Sequence, residues 1–166
     1  MKEEQLRVLR VMSEATGHVD FAEFAKMVEL SPSETLDTLK ELTTTGHVRK
    51  VGGGYGLTEK GRTVLRVTTR VPQGSEFNFY NEIGQPTDLS AATSKDFYEV
   101  AKKVDTSVLE FHLYRGDFEN WARSALGDGP LADDLAYLKK ADPRGEELRM
   151  ELLRAMENRY GAEAFL

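Results

Sequence analysis

The stretch Leu39-Lys40-Glu41-Leu42-Thr43-Thr44-Thr45-Gly46-His47-Val48-Arg49-Lys50-Val51-Gly52-Gly53-Gly54-Tyr55-Gly56-Leu57-Thr58-Glu59-Lys60-Gly61-Arg62 decides the fold of the first half. Leu39 and Leu42, with Leu36 a turn earlier, place an apolar stripe on a helix. Gly46 stops that helix, because glycine adopts the left-handed conformation at little steric cost. His47 to Val51 then reads as a short strand and Gly52-Gly53-Gly54 as a turn. Tyr55-Gly56-Leu57 returns as a second strand. Thr58 caps a further helix that turns Val64, Leu65 and Val67 inward.

Upstream, Ser31, Pro32 and Glu34 form a capping box with a proline at the first helical position, so the third helix starts there. A first helix over residues 2–15 carries Leu6, Leu9, Val11 and Met12, and Thr16-Gly17-His18 ends it. Asp20 is the expected N-cap of a short second helix with Phe21, Phe24, Ala25 and Val28 inward.

The order helix, helix, helix, hairpin, helix over residues 2–70 closely resembles the winged helix-turn-helix regulators. The resemblance is carried by the leucine-rich third helix closed by glycine and by the hairpin ending in Leu57-Thr58-Glu59-Lys60-Gly61-Arg62, a pattern common in archaeal and bacterial regulators. It implies a DNA-binding transcription regulator acting on double-stranded DNA. The third helix would enter the major groove, whose width accepts one α-helix, and the hairpin wing would touch the backbone or minor groove.

The face opposite Leu36, Leu39 and Leu42 presents Ser33, Glu34, Asp37, Thr38, Glu41 and Thr45. Ser33 and Thr38 are the expected reading residues. Arg49 and Lys50, with Tyr55, Lys60 and Arg62, would position the wing on phosphates. Glu34, Asp37 and Glu41 depart from the usual basic reading face, because carboxylates repel phosphate. They support an alternative in which the module docks a protein partner, as an adaptor, and not DNA. The basic residues then belong to a solvated surface.

Charge divides the chain. Residues 1–70 hold 11 basic and 10 acidic side chains, leaving 11 and 18 for residues 71–166. Val71-Pro72-Gln73-Gly74-Ser75 lies at the junction and reads as a linker over residues 71–76. Beyond it, Phe77-Asn78-Phe79-Tyr80 suits a short extended segment and Asn81 to Pro86 a turn. From Ser94 onward the periodicity is helical. Ser94, Asp105 or Thr106, Asp117 and Asp142-Pro143 mark successive starts, with Gly116 and Gly127-Asp128-Gly129-Pro130 as breaks. The expected fold class is mainly α with a small β-hairpin. It comprises an N-terminal winged helix-turn-helix over residues 1–70 and an acidic all-helical module over residues 77–166.

The run from Leu109 to Trp121, with Gly127-Asp128 and Leu131-Ala132, resembles a poorly characterised family of small helical domains of archaea and some bacteria, over roughly residues 77–140. The resemblance brings no activity with it. Attachment to a winged helix implies a sensing or dimerisation role, and a homodimer would join two weak half-site contacts. His112, Arg115, Asp117 and Trp121 are the concentration of polar and aromatic groups that suits a ligand pocket, with Asn120 beside them. Trp121 would stack on a ligand whose anionic part meets His112 and Arg115. In the structural alternative Asp117 is an N-cap, Trp121 is core and His112 is a buried, hydrogen-bonded histidine.

Composition excludes several classes. Cysteine is absent, so disulfides, thiol catalysis and cysteine-held metals are excluded. No run of about 18 apolar residues exists to cross a membrane, and the charged start Met1 to Arg10 is no signal peptide, so a cytoplasmic protein without a membrane partner is expected. The net charge of −6 opposes coating of nucleic acid by bulk charge. His18 and His47 lack a second ligand at metal spacing, and no metal or cofactor is expected. Glu146-Glu147 and Asp133-Asp134 suit solvated helix faces. With no nucleophile elbow and no dinucleotide fingerprint, no catalytic residue is expected and the chain does not read as an enzyme.

Overall fold

Ser31 begins the third helix as its sequence directs. In the computed structural model its Oγ accepts the Glu34 N–H at 3.1 Å, and the Glu34 carboxylate accepts the Ser31 N–H. The structure describes residues 1–15 and 19–166. The expected stop at Thr16-Gly17-His18, and His18 itself, lie outside the described residues. The described chain forms two compact units, Met1–Arg66 and Val67–Leu166.

The first unit runs α1 (Glu3–Glu14), α2 (Phe21–Met27), α3 (Pro32–Thr44), β1 (Val48–Val51), β2 (Gly54–Leu57) and most of α4 (Glu59–Thr68). This is the element order read from the sequence. Asp20 caps α2 by accepting the Glu23 N–H at 2.8 Å. β1 and β2 pair antiparallel, from Val48 opposite Leu57 to Val51 opposite Gly54. The core comprises Val8 and Leu9 of α1, Val28, Leu39 and Leu42 of α3, and Val48. Gly61 is required by close approach, because a Cβ there would stand 2.3 Å from the His47 carbonyl oxygen.

Two positions on α3 differ from the sequence reading. Thr38, expected outward, is only 6% exposed, whereas Leu36, expected inward, is 36% exposed. The buried stripe is Thr35, Thr38, Leu39 and Leu42. Each threonine is buried and satisfies its hydroxyl on the preceding turn, Thr35 on Ser31 O and Thr38 on Glu34 O, both at 2.8 Å. Phe21, also expected inward, is exposed.

The second unit adds β3 (Phe77–Tyr80), β4 (Pro86–Ala91), α5 (Ser94–Lys103), α6 (Thr106–Arg115), α7 (Asp117–Ser124), α8 (Gly129–Ala141) and α9 (Gly145–Tyr160), then a single 3₁₀ turn over Ala162–Phe165. Helix predominates, with small antiparallel hairpins. The second unit is nevertheless not all-helical. β4 pairs with β3, and its polar sequence, Pro86 to Ser90, hides a strand of which only alternate residues are shielded. The turn between them is closed by the Asn81 carboxamide, which accepts the Ile83 and Gln85 N–H groups.

Residues 71–76 are not a free linker. Val71 is buried in the second core and its N–H donates to Ala92 O at 2.8 Å. Thr93, one residue before the expected Ser94, caps α5 by accepting the Asp96 N–H. Gly116, at φ +81°, joins α6 to α7 and occupies the N-cap position expected of Asp117. No described helix is long and apolar enough to cross a membrane.

Candidate ligand pocket and candidate nucleic-acid surface

The β3 pleat turns Phe77 and Phe79 into the second core and leaves Asn78 and Tyr80 on the other face. Phe77 and Phe79 meet Phe97 of α5 and Phe118 of α7 in an aromatic cluster, with ring centroids 4.7 to 6.4 Å apart. Trp121 closes it. Its ring stacks on Phe97 at 5.5 Å and its Nε1–H donates to Ser75 O at 2.7 Å.

Between β3 and the α6–α7 corner lies a cavity of about 500 Å³. Phe77, Asn78 and Tyr80 line it from β3, Phe111, His112 and Arg115 from α6, and Asp117, Asn120 and Trp121 from α7; Glu76 and Gly84 complete the wall. The four residues singled out from the sequence, His112, Arg115, Asp117 and Trp121, all line this one cavity.

Their roles differ from the sequence reading. His112 is 2% exposed and both its nitrogens are engaged. Nε2 accepts the Tyr80 N–H at 2.8 Å, so the neutral ring carries its proton on Nδ1, which donates to Asp117 Oδ2 at 2.9 Å. Burial pushes the imidazole below its ordinary pKa, and the Asp117 carboxylate opposes that shift without cancelling it. His112 therefore holds β3 to α6 and has no nitrogen left for a ligand. Asp117 is not a helix cap. Its Oδ2 receives His112 and stands 3.3 Å from Arg115 Nε. Trp121, with one face stacked on Phe97, forms wall and not a free stacking plane.

Arg115 lies over the Phe111 ring, 4.7 Å from its centroid. Its terminal nitrogens make no hydrogen bond to other described residues, nor do the carboxamides of Asn78 and Asn120 or the Tyr80 hydroxyl. Asn78, Tyr80 and Phe111 were missed from the sequence because they enter the cavity through hairpin packing and a helix turn. The alternation within Phe77-Asn78-Phe79-Tyr80 was the available signal.

A separate buried network ties α8 to α9. Asp128 accepts the Leu131 N–H at 3.0 Å, the Tyr160 hydroxyl at 2.6 Å and Arg159 Nε at 2.9 Å. Burial opposes ionisation of this carboxylate, but those three donors hold it below the ordinary range.

In the first unit, Ser33, Arg49 and Lys50 are exposed. Because side chains alternate along a strand, Arg49 and Lys50 point to opposite faces of the hairpin. Its tip, Gly52-Gly53, has open space around each α-carbon. The other wing candidates are more engaged. Tyr55 packs against the first core, Lys60 Nζ donates to Thr45 O at 2.8 Å, and Arg62 stands 3.5 Å from Glu59. Buried Thr38 presents no hydroxyl outward, and its hydroxyl bonds its own helix. His47 is buried with Nδ1 at 2.7 Å from the Thr45 hydroxyl.

One family model, described as a family of unknown function (DUF5752), matches residues 74–166. The resemblance to an uncharacterised family therefore holds, and the match extends from ahead of β3 to the C-terminal residue. Neither a curated protein nor a solved structure matches the chain.

Proposed function

The chain belongs to the DUF5752 family, and from that premise we propose that it is a DNA-binding regulator of the cytoplasm whose family-matched unit is a ligand-sensing module. The observation that carries the DNA reading is the β1–β2 hairpin. It follows α3 directly, has an open glycine tip, and carries exposed Arg49 and Lys50 on opposite faces. A hairpin so charged contacts phosphates from either side when it lies edge-on to a duplex. Exposed Ser33, in the first turn of α3, is the remaining candidate for a base or phosphate hydrogen bond. What supports sensing over dimerisation is the 500 Å³ cavity, a size that suits small organic ligands.

The test is titration of the full chain into a random duplex between 50 and 200 mM salt. Phosphate contacts make the logarithm of the binding constant fall with the logarithm of salt by about 0.9 per contact. Replacing Arg49 and Lys50 by Ala is expected to reduce that slope by about 1.8. Salt-independent binding, or a double variant indistinguishable from the parent, overturns the reading.

One observation favours a second reading. Leu36 stands exposed on α3, a helix that also exposes Glu34, Asp37 and Glu41. An exposed leucine on a helix that also exposes three carboxylates suits a basic, apolar protein surface better than DNA. Absence of DNA binding at low salt would favour that adaptor role.

A further inference from the structure

The cavity between β3 and the α6–α7 corner has uncommitted chemistry of a particular kind. Its walls are aromatic: Phe77, Phe111 and Trp121. Its free hydrogen-bonding groups include the Tyr80 hydroxyl and two carboxamides, Asn78 and Asn120, each carboxamide offering a donor and an acceptor. The charged groups facing it are Arg115, Asp117 and Glu76, a formal sum of −1, since His112 is neutral. The Arg115 guanidinium is spent electrostatically on Asp117 and lies flat on Phe111, so what it offers inward is a plane and two uncommitted terminal nitrogens.

We infer that this cavity binds a nucleobase, as the free base or nucleoside, stacked on the Arg115 guanidinium beside the aromatic wall and read along its edge by Asn78 and Asn120. Guanidinium planes and aromatic rings are sequence-tolerant stacking surfaces for bases. Carboxamides pair with the adjacent donor and acceptor on a base edge. A cavity of about 500 Å³ holds a nucleoside. The negative lining disfavours phosphates, so affinity falls from nucleoside to monophosphate to triphosphate. That order is the reverse of a site built on helix N-termini or arginine forks. An aromatic carboxylate would place its charge beside Asp117 and Glu76 and is disfavoured for the same reason.

The inference gives the sensing module of the proposed regulator its ligand class, and its test needs no DNA. Failure here leaves the duplex titration untouched, and failure of that titration leaves this site untouched. Trp121 is the chain's single tryptophan, so its emission reports the cavity alone. The full chain is titrated with adenosine, guanosine and uridine, with adenosine mono- and triphosphate, and with benzoate. Binding is read by calorimetry and by Trp121 emission. The expected result is saturable nucleoside binding, weakened by each added phosphate. Asn78→Ala and Asn120→Ala each weaken it about three- to tenfold, the loss of one or two hydrogen bonds. Both side chains are exposed, so the far-ultraviolet dichroism of these variants stays that of the parent. Tighter binding of triphosphate than nucleoside overturns the inference. So does benzoate binding without nucleoside binding, or no binding of any nucleoside at millimolar concentration.

Discussion

The two units place their chemistry in opposite ways. Among the described residues, six buried apolar side chains make the core of the first unit and twenty-five that of the second. A small core leaves most side chains outside, and the first unit's candidates, Ser33, Arg49 and Lys50, stand on an exposed helix turn and a hairpin. A large core supports the floor of a cleft, and the second unit sets exposed Asn78, Arg115 and Asn120 around a cavity floored by Phe77, His112 and Trp121. The lesson is that a surface site in this chain rests on few buried contacts, whereas the cavity depends on a network that reaches through its unit.

The largest expected effect probes that dependence. Phe118 lies among the rings of Phe77, Phe79 and Phe97 and is 1% exposed. Phe118→Ala is expected to cost about 3–5 kcal/mol in urea unfolding. It should also shift the native emission of Trp121, whose partner Phe97 loses its support. Leu42→Ala, in the first core, is expected to cost about 2–5 kcal/mol and to leave that emission unchanged. An emission shift with Leu42→Ala would break the comparison.

The next effect concerns His112. Replacing it by Phe keeps an aromatic ring but leaves the Tyr80 N–H without its acceptor and Asp117 without one donor. The expected cost is about 1–3 kcal/mol. The pH dependence is the sharper readout. The folded imidazole lies below its ordinary value of 6.5 because it is buried. As pH falls past 6.5 the unfolded chain takes a proton that the folded chain refuses. The stability His112 contributes is thus fully present above that pH and is lost as pH falls toward the depressed folded value. His112→Phe should be less stable than the parent at pH 7.5, with a gap that narrows between pH 6.5 and 5. A gap that widens toward acid would mean the folded imidazole is the easier one to protonate.

Legibility in the sequence followed the range of the interaction. Asp20, Ser31 with Glu34, and Gly116 mark helix boundaries through contacts within a few residues, so composition alone located them. His112, Arg115, Asp117 and Trp121 fall within ten residues, so their meeting is visible in the sequence, although Gly116 and not Asp117 holds the cap position. The groups that finish the cavity were not visible. Tyr80 reaches His112 across 32 positions, through a hairpin whose second strand, Pro86 to Ala91, is too polar to register as a strand. Thr38 and Leu36 exchange their expected places because threonine is only half polar. On a helix its hydroxyl bonds the preceding turn and its methyl serves as core.

A smaller effect tests the local end of that scale. Ser31→Ala removes the acceptor for the Glu34 N–H and is expected to cost about 1 kcal/mol, measured by the urea midpoint, without altering the cavity.

The smallest effect separates packing from recognition at one residue. In Thr38→Val the second methyl replaces a hydroxyl that bonds Glu34 O. That carbonyl keeps the backbone N–H of the helix ladder, so nothing is orphaned. The stability change should stay within about 1 kcal/mol. Duplex affinity should not change, since the hydroxyl is inside the first core and cannot reach a base. Ser33→Ala, on the exposed first turn of the same helix, is the counterpart expected to weaken duplex binding. If Thr38→Val weakens binding and Ser33→Ala does not, α3 meets DNA through a face other than the one the structure exposes.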